Sequence, residues 1–149
     1  MRLWRLTAHP GLDGFGGTLV SGRWHNRPRR VAYAAEHPAL AVLESLAHLN
    51  LSLADVPTTL RLLCITVTPG AIKQALDKTA LPDGWQANEV TCRAMGSQWL
   101  DGGSALLLGV PSALVPRATN YLINPAHPQA ATHLAEADEP FWFDQRLLR

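Results

Sequence analysis

A chain of 149 residues fits one domain and is long enough to bury a core without disulfide or metal staples. Hydrophobic residues make up 47% and charged ones 17%, a globular composition that excludes a disordered or fibrous chain. The formal net charge of +1 provides no global field to hold a nucleic-acid polyanion.

Residues 2–7 alternate charged and apolar side chains (Arg2, Leu3, Arg5, Leu6), the pattern of a short strand. The opening Met1-Arg2-Leu3-Trp4-Arg5 lacks the apolar core of a signal peptide, and no apolar run approaches the roughly 18 residues of a membrane span. A cytoplasmic protein that contacts neither membrane nor nucleic acid directly is therefore expected. The glycines in Gly11-Leu12-Asp13-Gly14-Phe15-Gly16-Gly17 are not spaced as G-x-G-x-x-G, and no helical pattern follows. A dinucleotide fingerprint is weak and a P-loop is absent. The next segment, 21–30, is an arginine-rich loop, and 31–34 has the character of a second strand. Pro38 suits a first helical turn, and 39–49 carries a helical apolar pattern. Residues 59–68, rich in Leu, Ile, Val and Thr, predict a strand ending at Pro69-Gly70. A second helix is predicted over 88–100 and a strand over 104–110, stopped by Pro111. The tail, 140–148, alternates Phe141, Phe143 and Gln145 and is expected to close the sheet. Cys64 and Cys92 lie outside any ligand spacing and read as small buried hydrophobes. Strands outnumber helices and interleave with them irregularly, so the expectation is a single α+β domain across 1–149.

Glu44 is the most informative residue. On the predicted helix, Leu40, Leu43, Glu44 and Ala47 share one face, the stripe that should meet the core. A carboxylate there either reaches solvent from the edge of the stripe or lines a cleft, where desolvation costs several kcal/mol unless it is paired. The loop holding Arg23, Trp24, His25, Arg27, Arg29 and Arg30 is either a solvated surface or a set of guanidinium forks for phosphate. Tyr33 either packs in the core or stacks on a planar heterocycle. Ser112 follows Pro111 outside any G-x-S-x-G elbow and reads locally as a turn serine. The segment Asn120-Tyr121-Leu122-Ile123-Asn124-Pro125-Ala126-His127-Pro128 suggests a rigid, shaped loop. His127 has no second ligand at metal spacing, and His9, His37, His48 and His133 are scattered, so no metal site is expected.

Several of these segments together resemble the RES domain, named for an arginine, a glutamate and a serine. They are Leu3-Trp4-Arg5, Ser21-Gly22-Arg23-Trp24-His25, Val31-Ala32-Tyr33-Ala34-Ala35, Ala39-Leu40-Ala41-Val42-Leu43-Glu44, Val110-Pro111-Ser112 and Asn120-Tyr121-Leu122-Ile123-Asn124-Pro125. Each is short, but they occur in the family's order across nearly the whole chain. The resemblance implies a mono-ADP-ribosyltransferase-like fold, a split β-core with a few flanking helices around an NAD⁺ cleft. It implies a toxin that cleaves or transfers from NAD⁺, with NAD⁺ as substrate and no separate cofactor. It also implies a partner, an Xre-like antitoxin with a helix-turn-helix domain. Carried onto this chain, Glu44 would be the catalytic carboxylate. Arg5 and Arg23 would hold pyrophosphate or ribose, and either could be the arginine of the family's name. Tyr33 would stack on nicotinamide, Ser112 would orient the ribose or an arginine, and Asn120 would shape the pocket. The cluster Arg27, Arg29 and Arg30 exceeds the motif and has no family role.

Three other readings stand beside this one. The same fold could pass ADP-ribose to a protein instead of to water or phosphate. A non-catalytic nucleotide-binding module would keep the pocket alone. A ribonuclease would draw on the arginine loop, but near-zero net charge and the lack of an aromatic-basic RNA motif speak against it.

Overall fold

A computed structural model describes residues 1–49 and 55–148. The first strand, β1 (Arg2–Thr7), forms where the alternation predicts it, with Leu3 fully buried. A one-turn helix, α1 (Gly16–Leu19), takes in the last two glycines of the string, where no helix is expected because its residues carry no apolar period. Then come β2 (Ala32–Ala35) and α2 (Pro38–Leu49). Pro38 opens α2 as expected, and His37 Nδ1 accepts the Ala39 N–H at 3.1 Å, which satisfies a donor the helix cannot. Strand β3 (Arg61–Val67) sends Leu63, Ile65 and Val67 inward at period two. Strand β4 (Lys73–Ala75) is short and exposed. Helix α3 (Glu89–Gly102) begins at Asn88, whose side chain accepts the Thr91 N–H, and stops at Gly103, whose φ of 63° suits glycine. The rest is β5 (Leu107–Pro111), β6 (Thr119–Ile123), the short α4 (Ala130–His133) and β7 (Leu134–Pro140).

Two further expectations are corrected. The aromatic tail does not close the sheet: β7 does, and the chain beyond Pro140 runs into a 3-10 turn at Gln145–Leu147. The alternation of Phe141 and Phe143 instead reflects two rings packed edge to face 5.2 Å apart. The predicted loop over 120–128 is a strand as far as Ile123, and only the proline-flanked remainder is irregular.

The strands form one seven-stranded sheet in the order β4-β5-β6-β2-β1-β3-β7, with β4 and β5 parallel and every other pair antiparallel. Its pairing is uneven. Strand β1 pairs with β3 from Arg2 through Thr7, and β2 pairs with β6 along its whole length. Between β1 and β2 the register holds at a single pair, Trp4 with Ala35. The sheet is thus split into two halves joined at one rung. This is an α+β domain with the split β-core of ADP-ribosyltransferase-like folds.

One face of the sheet carries the core of Leu3, Ala34, Leu63, Ile65, Leu107 and Ile123. The other packs against two helices. Leu40 and Ala41 of α2 meet Ala35 and Trp4, so α2 lies across the split. Cys92 and Leu100 of α3 meet Trp24, Leu108, Val110 and Leu122. Helix α3 packs tightly on the 21–30 loop at Gly96, where a β-carbon would run into the Trp24 carbonyl oxygen, a backbone atom that cannot turn aside. Gly96→Ala should therefore cost about 3 kcal/mol, the upper end of typical overpacking, read as a lowered midpoint in a urea melt with an unchanged slope.

Candidate functional site

The site is laid out by strand register on the face covered by α2 and α3. Asn120 on β6 stands opposite Ala35 on β2 and opposite Val110 on β5, so all three side chains share a face. Tyr33 lies two residues before Ala35, on the same face and diagonal to Asn120. Ser112 continues the Val110 face just past the end of β5. Helix α2 places Glu44 above this group.

Glu44 is half-buried and held by two side chains distant in sequence. Ser112 Oγ–H donates to Glu44 Oε1 at 2.7 Å, and Asn120 Nδ2–H donates to the same oxygen at 2.7 Å. The Ser112 hydroxyl also accepts the N–H groups of Leu114 and Val115, each at 3.1 Å. A hydroxyl with one donor and two acceptor positions is thereby fully used. Ser112 is both the expected turn serine and a partner of the carboxylate. Both bonds fall on Oε1. Among the described residues nothing engages Oε2, so one oxygen is anchored and the other presented. Glu44 is thus paired within the fold through Ser112 and Asn120.

Arg5 and Tyr33 meet at the split. The Tyr33 carbonyl points toward β1 where strand pairing has ended, and Arg5 Nη1–H donates to it at 2.9 Å. Arg5 Nε is buried with no partner, the one such side-chain nitrogen or oxygen among the described residues. Burial pushes the Arg5 guanidinium below its ordinary pKa, opposed by the charges of Asp13 and Glu136. A half-buried guanidinium whose Nε is buried and unpaired leaves one charged donor unspent.

Tyr33 is fixed through its hydroxyl, which lies 2.7 Å from His25 Nδ1 and accepts the Trp24 N–H at 3.1 Å. Burial raises its pKa, so the phenol stays neutral. The ring packs with the Trp24 and Val31 cluster. Arg23 points elsewhere: Nη1 donates to the Gln86 carbonyl at 3.0 Å, and Nη2 stands 3.7 Å from Glu89. The structure thus joins Glu44, Ser112 and Asn120 in one group and Arg5 with Tyr33 in another, while Arg23 bonds to neither. Arg29 is committed to Asp101 through two bonds of 2.8 and 2.9 Å, and Arg30 donates to the Asp13 carbonyl, so much of the arginine loop is structural.

Sequence reasoning passed over two residues. His25 counts there only as part of a basic loop, yet it is buried at 1% exposure and bonded at both nitrogens. Its sequence signal is a histidine directly after a tryptophan in an otherwise charged loop. His48 stands one helical turn beyond Glu44, at i+4, and is exposed. A cavity of about 350 Å³ lined by Lys73, Leu76, Gly109 and Tyr121 contains none of these residues. The hydrogen-bonded carboxylate is the stronger indicator of chemistry than that concavity.

The fold and site define an α+β domain with a split β-core and a positioned carboxylate beside the split. The RES domain model matches residues 2–144, and the chain belongs to the RES-domain family. It is 48% identical over 147 residues to Toxin Res of Pseudomonas putida, covering 99% of both chains. It is 37% identical over 142 residues to the Prs ADP-ribosylating toxin of a Sphingobium strain, covering 93% of this chain and 87% of that one. It is also 37% identical over 131 residues to Toxin Res of Photorhabdus laumondii, covering 84% and 82%. Among the described residues, no helix is long and apolar enough to cross a membrane.

The Ser112 geometry makes a direct prediction. Ser112→Ala removes a donor to Glu44 and strands two backbone N–H groups, so it should cost about 1–3 kcal/mol in a denaturant melt. A melt like wild type would show that water replaces the hydroxyl.

Proposed function

We propose that this protein is a toxin that cleaves NAD⁺ at the nicotinamide N-glycosidic bond, depleting NAD⁺ and arresting growth. The observation that carries the proposal is the half-anchored Glu44 carboxylate. Its Oε1 is held by Ser112 and Asn120 and its Oε2 is left to accept from a ribose hydroxyl.

The chemistry suits these groups. The bond between ribose C1′ and the nicotinamide nitrogen breaks, its electron pair leaves with nicotinamide, and positive charge develops on the ribosyl carbon. Nicotinamide departs neutral, so little general-acid help is needed. A fixed carboxylate at the ribose stabilises the developing cation, as in glycoside hydrolysis. Arg5, with its unspent buried donor, would hold the pyrophosphate, and Arg23 the outer phosphate or ribose. In this reading Tyr33 would stack on nicotinamide. Water then bonds to C1′ and releases a proton to solvent, or phosphate bonds through an anionic oxygen that carries none. No separate cofactor or metal enters this scheme.

A second reading keeps the site and changes the acceptor to a protein side chain. The 37% identity to a protein named Prs ADP-ribosylating toxin favours it. The toxin reading also carries a partner, an Xre-like helix-turn-helix antitoxin, and a cytoplasmic site of action. Both follow from the family resemblance. With Arg29 and Arg30 already engaged, Arg27 is the arginine of that cluster most open to an acidic segment of such a partner.

The test is release of free nicotinamide from NAD⁺ by the purified protein, followed by chromatography with and without phosphate. Wild type should release it, and folded Glu44→Ala should be slower by about 10²–10³. Turnover in Glu44→Ala equal to wild type would overturn the assignment. Transfer of label from NAD⁺ onto a protein band in cell extract would select the second reading, and ADP-ribose or its phosphate as co-product would select the first.

A further inference from the structure

The imidazole of His25 sits in a cage of defined polarity. Its Nε2 is 3.1 Å from the Gly17 carbonyl oxygen, which can only accept, so Nε2 bears the proton. The other nitrogen, Nδ1, then has a lone pair to offer, and two donors converge on it. The Gly22 N–H, shared with the His25 carbonyl oxygen at 3.1 Å, lies 3.2 Å away, and the Tyr33 O–H lies 2.7 Å away. The Tyr33 oxygen in turn accepts the Trp24 N–H. Gly22 completes the arrangement, since a β-carbon there would stand 2.5 Å from the Tyr33 hydroxyl oxygen. Residues 22–25 and β2 are thus tied by a closed set of bonds through one ring, and Arg23 is carried on that tied turn.

We propose that His25 is a positioning residue: its neutral, Nε2-protonated ring locks the Tyr33 phenol to the Gly22-Arg23-Trp24 turn and so fixes two substrate-binding groups at once. The binding roles of Tyr33 and Arg23 rest on the proposed function; the lock itself does not. Protonating His25 would turn Nδ1 into a donor, so the Tyr33 oxygen would have to take the Nδ1–H beside the Trp24 N–H and the Tyr33 hydroxyl proton would lose its acceptor. The surroundings oppose that proton. Burial is the main cause, the Gly17 and Val20 carbonyls favour protonation, and the charges of Arg29 from the same loop and Arg93 from α3 disfavour it. The acids near these arginines, Asp101 and Glu89, both on α3, are bonded to Arg29 and to Arg93. Tyr33 from β2 stays neutral. His25 therefore titrates below the ordinary histidine value of 6.5 when folded. The unfolded chain then binds the extra proton more readily, so stability falls as pH drops below about 6.5.

The experiment is long-range ¹H–¹⁵N correlation of the imidazole rings through a pH titration of the whole chain, in wild type and in Tyr33→Phe. Wild type should show the Nε2–H form with a midpoint below 6.5. Tyr33→Phe, which removes a donor to the neutral ring, should move the midpoint upward. A proton on Nδ1, a midpoint at or above 6.5, or no movement in Tyr33→Phe would overturn the proposal. Kinetics add a second arm. His25→Asn keeps an acceptor near the Nδ1 position and should retain most of kcat/KM, without the acid limb that His25 sets. His25→Leu should lose about 10²-fold, the cost of a misplaced binding group. A folded His25→Leu with wild-type kcat/KM would also overturn the lock. If wild type does not cleave NAD⁺, the proposed function fails while the spectroscopic arm still decides the role of His25.

Discussion

The single rung between β1 and β2 is the constraint on which the rest of the structure depends. Strand β1 is fully paired to β3 on one side and touches β2 only at Trp4 and Ala35 on the other. Below that rung the two halves part, and backbone groups that a continuous sheet would satisfy need other partners. Arg5 supplies one, donating from its side chain to the Tyr33 carbonyl. On the helical face, α2 packs on Trp4 and Ala35 together and so covers the rung itself. The same helix carries Glu44. The split therefore brings a guanidinium to one side of the gap and aims a carboxylate at the other, with Tyr33 between them.

How Glu44 is held decides what Ser112 can do. A serine nucleophile needs a base to take its proton and a free approach to the substrate. Ser112 donates to Glu44 and receives two backbone N–H groups, and it is only 6% exposed. Its oxygen has no lone pair left for attack. The hydroxyl instead fixes the turn after β5 and the carboxylate in one stroke, and Asn120 from the neighbouring strand fixes the same oxygen from a second direction. Two rigid anchors on one oxygen reduce the rotamer freedom of Glu44 and leave the other oxygen oriented, which is the kind of preorganisation that electrostatic stabilisation of a cation requires.

Much of this was legible in the sequence because it is local. The alternation of Arg2–Thr7, the proline-led helix of α2 and the β-branched run of β3 each declare their period within a few residues. Glu44 stood out as a carboxylate within a helical apolar pattern, but the stripe drawn for it was too wide: Leu40 is buried, whereas Leu43 and Ala47 are exposed and the buried face runs through Ala41. The failures are equally physical. Strand β4 has three exposed residues, and β7 exposes nearly all of LAEADEP; edge strands lack the buried face that creates a pattern. Phe141 and Phe143 imitate a strand by pairing with each other. The partners of Glu44 lie 68 and 76 residues away, so no window of sequence could show that a turn serine and a strand asparagine share its oxygen. His25 stayed hidden because the ring is enclosed by backbone groups, which sequence does not display.

The near-neutral net charge conceals an uneven distribution of cations. Arg29 is matched by Asp101, Arg61 by Asp138, Arg146 by Asp144, and Arg93 by Glu89, which also stands near Arg23. Each of these is a surface pair in high dielectric and contributes little to stability. Arg5 differs in kind. Its guanidinium is desolvated, it bonds a carbonyl and not a carboxylate, and its Nε has no partner. Leaving a buried charged donor unsatisfied is costly, and a fold tolerates that where a ligand completes the set. Arg23 is already solvated and shared with Glu89, so binding an anion there gains less. Of the two arginines the family name could denote, Arg5 carries the unspent buried donor, whereas Arg23 is bonded to the Gln86 carbonyl and stands near Glu89.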